Sequence, residues 1–250
     1  LTPFYRRMAR VGLPLSAAAM AVVWYFSDEG RRAVITDTIG ELRRSVEERP
    51  EFMVQMLAVE GASEELAGDI RALVPYEFPL SSFDMDLDAT RADIEALDAV
   101  ARVHVRIRGG GVLTVEIEER VPALVWRRRD GTLALIDETG HRVAPLISRG
   151  LRSDLPLVAG RGADAPEAVT EALALFDAAT PLHGRIRGLV RRGDRRWDVV
   201  LDREQVIQLP EEGAVLALEH VIALDQAEEM LGRDIAVVDM RIPGRPTLRM

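Results

Sequence analysis

Four acidic residues in the middle of the chain have the spacing of a calcium-binding loop. Asp84, Asp86 and Asp88 occupy alternate positions, and Glu95 closes a window of twelve residues. Carboxylate oxygens at this spacing are the ligands that calcium takes in D-x-D-x-D…E loops. The sixth position of the window is Ala89, however, whereas the sharp turn of such a loop calls for glycine. The stretch therefore has the acidic residues of a calcium-binding loop but lacks the glycine at its turn.

The same stretch also fits an ordinary structural role. Phe83, Met85 and Leu87 alternate with the acidic residues, as they would on a short buried strand. Asp88 belongs to a residue type that commonly caps the N-terminus of a helix. We therefore interpret the stretch as a strand followed by a capped helix, and we predict no metal site there.

Three consecutive glycines, residues 109–111, are the second candidate for chemistry, because glycine-rich loops cradle phosphate groups. Such a cradle needs a helix after the glycines and usually a lysine, but the chain contains no lysine. Residues 103–107 and 113–117 alternate between apolar and polar types, which is typical of β-strands. We predict a β-hairpin with the glycines in its loop, and with arginines facing glutamates across the two strands.

Other residues capable of catalysis are scattered along the chain. The four histidines, His104, His141, His183 and His220, fall on separate predicted elements. No two of them are four residues apart, as a helical metal pair would require. The sequence contains no G-x-S-x-G elbow. We therefore predict no catalytic residue, no cofactor and no metal, and we expect the chain not to be an enzyme.

The composition narrows the class of protein further. The 250 residues carry a net charge of −9, which argues against a nucleic-acid partner because phosphate contacts need a basic surface. Cysteine is absent, so disulfides and thiolate chemistry are excluded. Hydrophobic content of 48% with 29% charged residues is that of a globular protein with room for one large or two small domains.

The N-terminal segment has the features of a membrane anchor. Residues 11–27 carry no charge and follow Arg10. A helix of these 17 residues spans roughly 25 Å, slightly less than the ~30 Å hydrocarbon core of a bilayer. Trp24 and Tyr25 suit the interface at its far end. The basic flank predicts residues 1–10 as a cytoplasmic tail, residues 11–27 as a transmembrane helix, and the rest of the chain outside.

Two other interpretations of this segment remain open. Ala19, Met20 and Ala21 resemble the cleavage site of a signal peptide. Cleavage there would leave the apolar residues 22–26 at the new N-terminus, which favours an uncleaved anchor. A buried helix of a soluble protein is the third interpretation.

The next 93 residues, 28–120, divide into a stalk and a compact unit. Residues 28–50 carry one apolar stripe at helical spacing and end at Pro50, so we predict a helical stalk. Residues 51–120 have the order β-α-α-β-β, in which the second helix carries Ile94, Leu97, Val100 and Ala101.

Residues 121–250 predict a second unit with many strands. We expect an α+β fold with an antiparallel sheet at its centre and flanking helices that begin near residues 166 and 210. The predicted strands are residues 124–126, 133–136, 155–158, 186–191, 196–201, 206–209, 235–242 and 247–250.

Six stretches of the chain resemble one bacterial family. They read FDMDLDATRADIEALDAVARVHV at 83–105, EIEERVPALVW at 116–126, LIDETG at 135–140, RRWDVVL at 195–201, QLP at 208–210 and VVDMRI at 237–242. In this order they are similar to the FtsQ/DivIB family of cell-division proteins, of the alphaproteobacterial type. The E-R-x-P-x-A-x-W pattern of the family is only approximated, because the alanine stands one position early at Ala123.

The resemblance implies a non-enzymatic scaffold of the division complex. It implies a single-pass type II protein of the inner membrane, with a POTRA domain over residues 51–120 and a β domain over residues 121–250 in the periplasm. The family binds the division proteins FtsB and FtsL at the septum and connects early division proteins to the synthesis of septal peptidoglycan.

The resemblance also implies a partner-binding segment near the end of the chain. FtsB docks beside the last strands of the β domain in this family, and the corresponding segment here is residues 239–245, with Arg195 and Arg196 nearby. The residues that this implies for partner binding are Arg195, Arg196, Arg241, Ile242, Gly244 and Arg245. A terminal edge strand exposes unpaired backbone groups to which a partner can add a strand. Pro243 and Pro246 remove two backbone donors at this place. A periplasmic enzyme or binding protein with a cleaved signal peptide is the alternative function.

Overall fold

A computed structural model describes residues 49–242 and 245–250, together with Leu15, Ser16 and Met20. The predicted cytoplasmic tail lies outside the described residues, as do most of the predicted membrane helix (11–27) and of the stalk (28–50). Within the described part of the chain, no helix has both the length and the apolar character needed to cross a membrane.

The described residues from 49 onward form a mixed α+β fold. The helices are α1 (Glu64–Leu73), α2 (Leu87–Glu95), α3 (Pro166–Ala178) and α4 (Ala214–Glu228). The strands are β1 (Met53–Val54), β2 (Met56–Glu60), β3 (Leu80–Ser81), β4 (Val100–Arg108), β5 (Val112–Glu119), β6 (Leu124–Arg127), β7 (Leu133–Ile136), β8 (Arg142–Leu146), β9 (Leu157–Ala159), β10 (Ile186–Arg192), β11 (Arg196–Leu201), β12 (Val206–Gln208), β13 (Val237–Asp239) and β14 (Thr247–Arg249).

The chain divides into two compact units, and the smaller one combines the described residues up to 58 with residues 74–87 and 105–114. Here β1 pairs antiparallel with β3, and the ring of Phe52 meets the ring of Phe83 edge-on, with centroids 5.2 Å apart. The backbone N–H of Gln55 donates to the carbonyl oxygen of Gly111 at 2.7 Å. A Cβ at Gly111 would lie 2.3 Å from the Met53 carbonyl oxygen, so this close approach requires glycine.

The predicted glycine hairpin is confirmed. Strands β4 and β5 flank residues 109–111 and form a three-stranded sheet in the order β2-β5-β4. Arg102 and Glu118 form an ion pair at 2.8 Å, as expected if the three glycines form the loop. Because a strand follows the glycines, the phosphate-cradle interpretation is wrong.

Three local predictions around the acidic stretch are wrong. Residues 82–84 form a 3-10 turn instead of a strand, and Phe83 is 54% exposed. Helix α2 already begins at Leu87, so Asp88 lies in its first turn and does not cap it. The hydroxyl of Tyr76 holds this turn, because it accepts from the Asp86 N–H and donates to the Asp86 carbonyl oxygen.

The second helix of this region also ends earlier than predicted. Helix α2 stops at Glu95, and Val100 and Ala101 belong to strand β4. The elements from β2 to β5 therefore include two helices followed by the hairpin, together with the short strand β3. The assignment of these elements to a POTRA domain stays a prediction.

The larger unit contains residues 59–73, 88–104 and 115–250. Its nine-stranded sheet has the order β14-β13-β12-β11-β10-β9-β6-β7-β8. The predicted antiparallel sheet is only partly correct, because β6 with β9, β9 with β10, and β12 with β13 pair in parallel. The long connection that contains α3 allows β10 to lie parallel to β9. One sheet face packs with α3 and α4 in a core that includes Trp197, Ile207, Leu218 and Val238.

Gly160 permits the backbone contact that joins β9 to β10. A Cβ at this residue would lie 2.3 Å from the Arg191 carbonyl oxygen. Gly162 also has positive φ, but its added Cβ would have no heavy atom within 3.7 Å. We expect Gly160→Ala to lower the free energy of unfolding by about 1–3 kcal/mol more than Gly162→Ala, because both variants strain φ but only the first overpacks the sheet.

Urea denaturation of the two variants measures this difference. The two share the change of residue type and the sign of φ, so the contact with Arg191 is what separates them. Equal losses of stability would show that the close approach of β9 and β10 adds nothing to the strain.

Candidate partner-binding surface

A row of polar side chains crosses four neighbouring strands at the end of the sheet. In the register of the sheet, Asp198 of β11 is opposite Gln208 of β12. Gln208 is in turn opposite Asp239 of β13, and Asp239 is opposite Thr247 of β14. Residues in register on adjacent strands project from the same face of a sheet. We call Asp198, Gln208, Asp239 and Thr247 the polar row.

The opposite face of these strands is apolar because of the two-residue period of a strand. Trp197, Val199, Ile207, Val238 and Met240 alternate with the members of the row, and each is at most 2% exposed. They belong to the core that includes helices α3 and α4. The polar row therefore lies on the face that turns away from this core.

Arginine side chains surround the polar row. The Nε of Arg192 donates to Asp198 Oδ2 at 2.9 Å, and Arg241 binds both carboxylate oxygens of Asp239 at 2.9 and 2.6 Å. Arg249 lies 3.6 Å from the carboxylate of Asp239. These pairs leave three guanidinium groups around two carboxylates, so the surface carries an excess of positive charge.

Asp239 is electrostatically the most perturbed member of the row. The hydrogen bond from the Arg241 side chain lowers the pKa of Asp239 from 3.8 to about 2, against the opposing effect of desolvation. The backbone N–H of Arg241 and the charge of Arg249 act in the same direction. The carboxylate of Asp239 therefore stays ionised and fixes Arg241 against the sheet.

Asp198 is buried more deeply, at 3% exposure. One of its carboxylate oxygens is bound by Arg192, whereas Oδ1 is buried and accepts no hydrogen bond from any described residue. The Nε of Arg196 is likewise buried without an acceptor in the described part of the chain. A partner that supplies a donor and an acceptor here would satisfy both groups.

The outermost described strand next to the row is β14. It pairs with β13 on one side, and all three of its residues are exposed. Leu248 at its centre is 46% exposed. Among the described residues, the outermost strand at this edge is therefore β14, one strand further along the chain than the segment 239–245, because β13 lies between β12 and β14.

The structure brings together some of the residues that the sequence selects. Arg241 lies beside the row, and Arg196 shares its face because it alternates with Trp197. Ile242 is 62% exposed, and Arg245 is exposed as well. Arg195 instead lies in the turn before β11, with its Nε 3.6 Å from Glu211. Gly244 lies outside the described residues.

Sequence reasoning reaches only Asp239 of the row, as the first residue of the segment 239–245, and misses the other three members. Asp198, Gln208 and Asp239 each interrupt an apolar strand at a position whose side chain points away from the core. This alternation is visible in the sequence, but the register that aligns the three strands is not. Arg192 and Arg249 are missed for the same reason.

Two of the four histidines considered for chemistry have structural contacts. His183 stacks on Phe176 with ring centroids 4.1 Å apart, and His141 Nδ1 lies 2.8 Å from the Thr139 hydroxyl. Asp137 accepts hydrogen bonds from Arg120, Thr139 and the backbone of His141. Among the described residues, no cluster of three histidine, aspartate or glutamate side chains has the geometry to hold a metal ion.

The larger unit is thus a mixed sheet with one face packed against α3 and α4 and an arginine-lined polar row on the other. The family described as "Cell division protein FtsQ/DivIB, C-terminal" matches residues 124–241, which include β6 to β13 and most of the polar row.

Whole-chain relatives agree with this match. The chain is 51% identical over 250 residues to a cell division protein FtsQ of Roseobacter litoralis, covering 100% of this chain and 84% of the relative. It is 52% identical over 250 residues to that of Cereibacter sphaeroides, covering 100% of this chain and 80% of the relative. A more distant FtsQ, of Agrobacterium fabrum, is 32% identical over 200 residues, which are 80% of this chain and 62% of the relative. The chain belongs to the FtsQ/DivIB family of bacterial cell-division proteins.

Proposed function

We propose that the chain is a non-enzymatic scaffold of the division complex that binds FtsB and FtsL through the polar row and the edge strand β14. The observation that carries this proposal is the exposed strand β14 beside a face where Arg192, Arg241 and Arg249 surround two carboxylates. A partner segment that adds to β14 as a further strand would gain backbone hydrogen bonds from the edge.

Electrostatics favour an acidic partner segment. Arg241 and Arg249 share the single carboxylate of Asp239, so one positive charge is left over for a carboxylate of the partner. Ile242 and Leu248 supply exposed apolar area next to these charges. An interface with an apolar anchor and a charged rim is typical of specific association.

The location of the chain is part of the same proposal. Residues 1–10 form a cytoplasmic tail, residues 11–27 cross the inner membrane, and residues 28–50 form the stalk. A POTRA domain (51–120) and a β domain (121–250) then lie in the periplasm at the septum. The uncharged segment after Arg10 supports this topology, as does membership of the family.

Co-purification of FtsB and FtsL with the 250-residue chain tests the binding surface. We expect Ile242→Glu and Leu248→Glu each to reduce capture about tenfold or more, because an acidic side chain replaces apolar contact area and repels an acidic partner. Melting temperatures should stay near that of the parent, since both side chains are exposed.

Ile147→Glu is the matched control. Ile147 is 96% exposed and follows β8, the strand at the opposite edge of the same sheet. Its replacement introduces the same charge and should leave capture unchanged. If all three variants capture FtsB as the parent does, the β14 surface is not the binding site.

The cleaved alternative is tested separately by mass spectrometry of the N-terminus of the cellular protein. An intact Arg6-Arg7 sequence in membrane fractions excludes a periplasmic enzyme with a removed leader. A mature chain that begins after Ala21 would contradict the anchored topology.

A further inference from the structure

Three parallel strands bring arginine-rich segments to one end of the sheet. Strand β6 pairs in parallel with β9, and β9 pairs in parallel with β10, so their carboxyl ends lie at the same end. Residues 127–130, 160–164 and 191–196 at these ends contain eight arginines and only three aspartates. Arg191, Arg192 and Arg195 form ion pairs with Glu171, Asp198 and Glu211. Among the described residues, Arg127, Arg128 and Arg129 form no ion pair, so the unpaired positive charge at this end lies chiefly after β6.

A cavity of about 380 Å³ opens between two of these segments. Its lining includes Trp126 and Arg128 at the end of β6, Arg129 in the following turn, and Arg161 in the loop after β9. A volume of this size suits a small ligand. Cavities at the carboxyl ends of parallel strands are also common binding sites, because the loops there are free to vary.

The arginines of this cavity differ in whether a carboxylate forms an ion pair with them. Arg161 is bound by the carboxylate of Asp194, with Nε 2.8 Å from Oδ2. Arg128 lies over the ring of Trp126, 5.6 Å from its centroid. Within the described part of the chain, neither Arg128 nor Arg129 forms an ion pair. Arg128 and Arg129 thus form no direct ion pair among the described residues, although Arg128 acts electrostatically on Asp130 and Arg129 on Asp194.

The lining also includes two aspartates, Asp130 and Asp164. Asp130 accepts hydrogen bonds from the backbone N–H and the hydroxyl of Thr132, at 3.0 and 2.6 Å, which hold it in its own turn. Asp194, which is paired with Arg161, interacts with the charge of Arg129 at longer range. Within the described part of the chain, neither lining aspartate forms an ion pair with Arg128 or Arg129.

The indole of Trp126 lines the same cavity and carries a donor that is unpaired among the described residues. Its Nε1 is buried and has no hydrogen-bond acceptor among the described residues. A buried N–H without an acceptor costs about 1–3 kcal/mol, which a ligand oxygen can recover. By contrast, the buried Trp197 donates to Glu171 at 2.9 Å.

We infer that this cavity binds an oxyanion, a carboxylate or phosphate group of a small ligand, through the N–H of Trp126 and the guanidinium groups of Arg128 and Arg129. The negatively charged oxygens accept from these donors in charge-assisted hydrogen bonds. The site is separate from the β14 surface and does not depend on partner binding there.

Titration of the ¹⁵N-labelled 250-residue chain with inorganic phosphate and, separately, with succinate tests this inference. The chain has three tryptophans, and Trp126→Phe assigns the indole resonance of Trp126. We expect that resonance to shift saturably with at least one anion, and the anion that shifts it identifies the source as phosphate or carboxylate. If neither anion moves it, the inference is overturned.

The anion affinity of Arg129→Ala distinguishes a specific binding site from nonspecific attraction of anions to surface arginines. We expect the substitution to raise the apparent dissociation constant about tenfold or more, the effect of losing one charge-assisted contact. Arg187→Ala is the matched control, because Arg187 is an exposed arginine near the opposite end of β10. Equal weakening by both variants, or none by Arg129→Ala, would reduce the binding to an adventitious ion only and overturn the inference.

Discussion

Replacing Trp197 with alanine is expected to lower the free energy of unfolding by about 3–5 kcal/mol, the usual cost of removing a buried tryptophan. Trp197 is 1% exposed and stands among the largest fully buried side chains of the described residues. Its indole N–H donates to Glu171 at 2.9 Å, and the guanidinium of Arg191 lies 5.4 Å from its ring centroid. The substitution therefore removes core volume and also two polar contacts.

Thermal unfolding with a matched set of variants checks this prediction. At roughly 2–4 °C per kcal/mol for a domain of this size, Trp197→Ala should lower the melting temperature by roughly 6–20 °C. Trp197→Phe keeps an aromatic ring and should cost much less, so the difference isolates packing from the Glu171 contact. Leu216→Ala is the surface control, because Leu216 is 71% exposed. If Trp197→Ala lowers the melting temperature no more than Leu216→Ala does, the Trp197 side chain is not packed in the core as described.

Removing the charge of Asp239 is expected to destabilise the protein at neutral pH and to have little effect near pH 2. The pKa of Asp239 is lowered from 3.8 to about 2 in the folded protein, chiefly by the Arg241 side chain. A depressed carboxyl pKa contributes stability above the unfolded value and loses it as the pH falls through the folded value. The contribution is about 2 kcal/mol. It should be complete above about pH 5 and disappear between about pH 4 and 2.

Chemical denaturation of the parent and of Asp239→Asn at pH 7, 3 and 2 measures this effect. The gap in stability between the two proteins should narrow as the pH falls, because the parent carboxyl becomes protonated. Asp194→Asn is the control, since Asp194 also pairs with an arginine but its side chain is 40% exposed. Solvent screens such exposed pairs, so its gap should be small at every pH. A gap for Asp239→Asn that is the same at pH 7 and pH 2 would contradict the assigned cause.

The same ion pair links stability to partner binding. Asp239 holds Arg241 against the strand end, so the proposed surface presents its arginines in a fixed arrangement. A side chain that is already ordered loses less conformational entropy when a partner binds. Asp239→Asn is therefore also expected to weaken the capture of FtsB at neutral pH.

The sequence predicts the features that depend on a local period. Alternation in residues 103–117 indicates the glycine hairpin, and alternation in residues 186–201 indicates β10 and β11 with Trp197 facing inward. The ordered motifs also identify the FtsQ/DivIB family, which the relatives confirm. Periodicity states which side of a strand is buried, and that information is contained in a few consecutive residues.

Local patterns mislead where an alternating stretch of sequence fits a turn as well as it fits a strand. The alternation of Phe83, Met85 and Leu87 resembles a strand, yet residues 82–84 form a turn, and the Tyr76 hydroxyl accepts from the N–H of Asp86 just after it. Strand β13 is likewise shorter than residues 235–242, because it ends at Asp239, where Arg241 folds back onto the carboxylate. Specific side-chain contacts, which the alternation does not reveal, accompany both departures.

The family, the mixed α+β class and the inward or outward direction of most strand residues follow from the sequence. The order of the strands, the parallel pairs among them, and the place of β14 as the outermost described strand are set by tertiary packing. Tertiary packing also aligns Asp198, Gln208 and Asp239 into one row and brings the ends of β6 and β9 around a cavity. The physical reason is that an amphipathic strand specifies the face it buries but not its partner, so strand order depends on how the whole core packs.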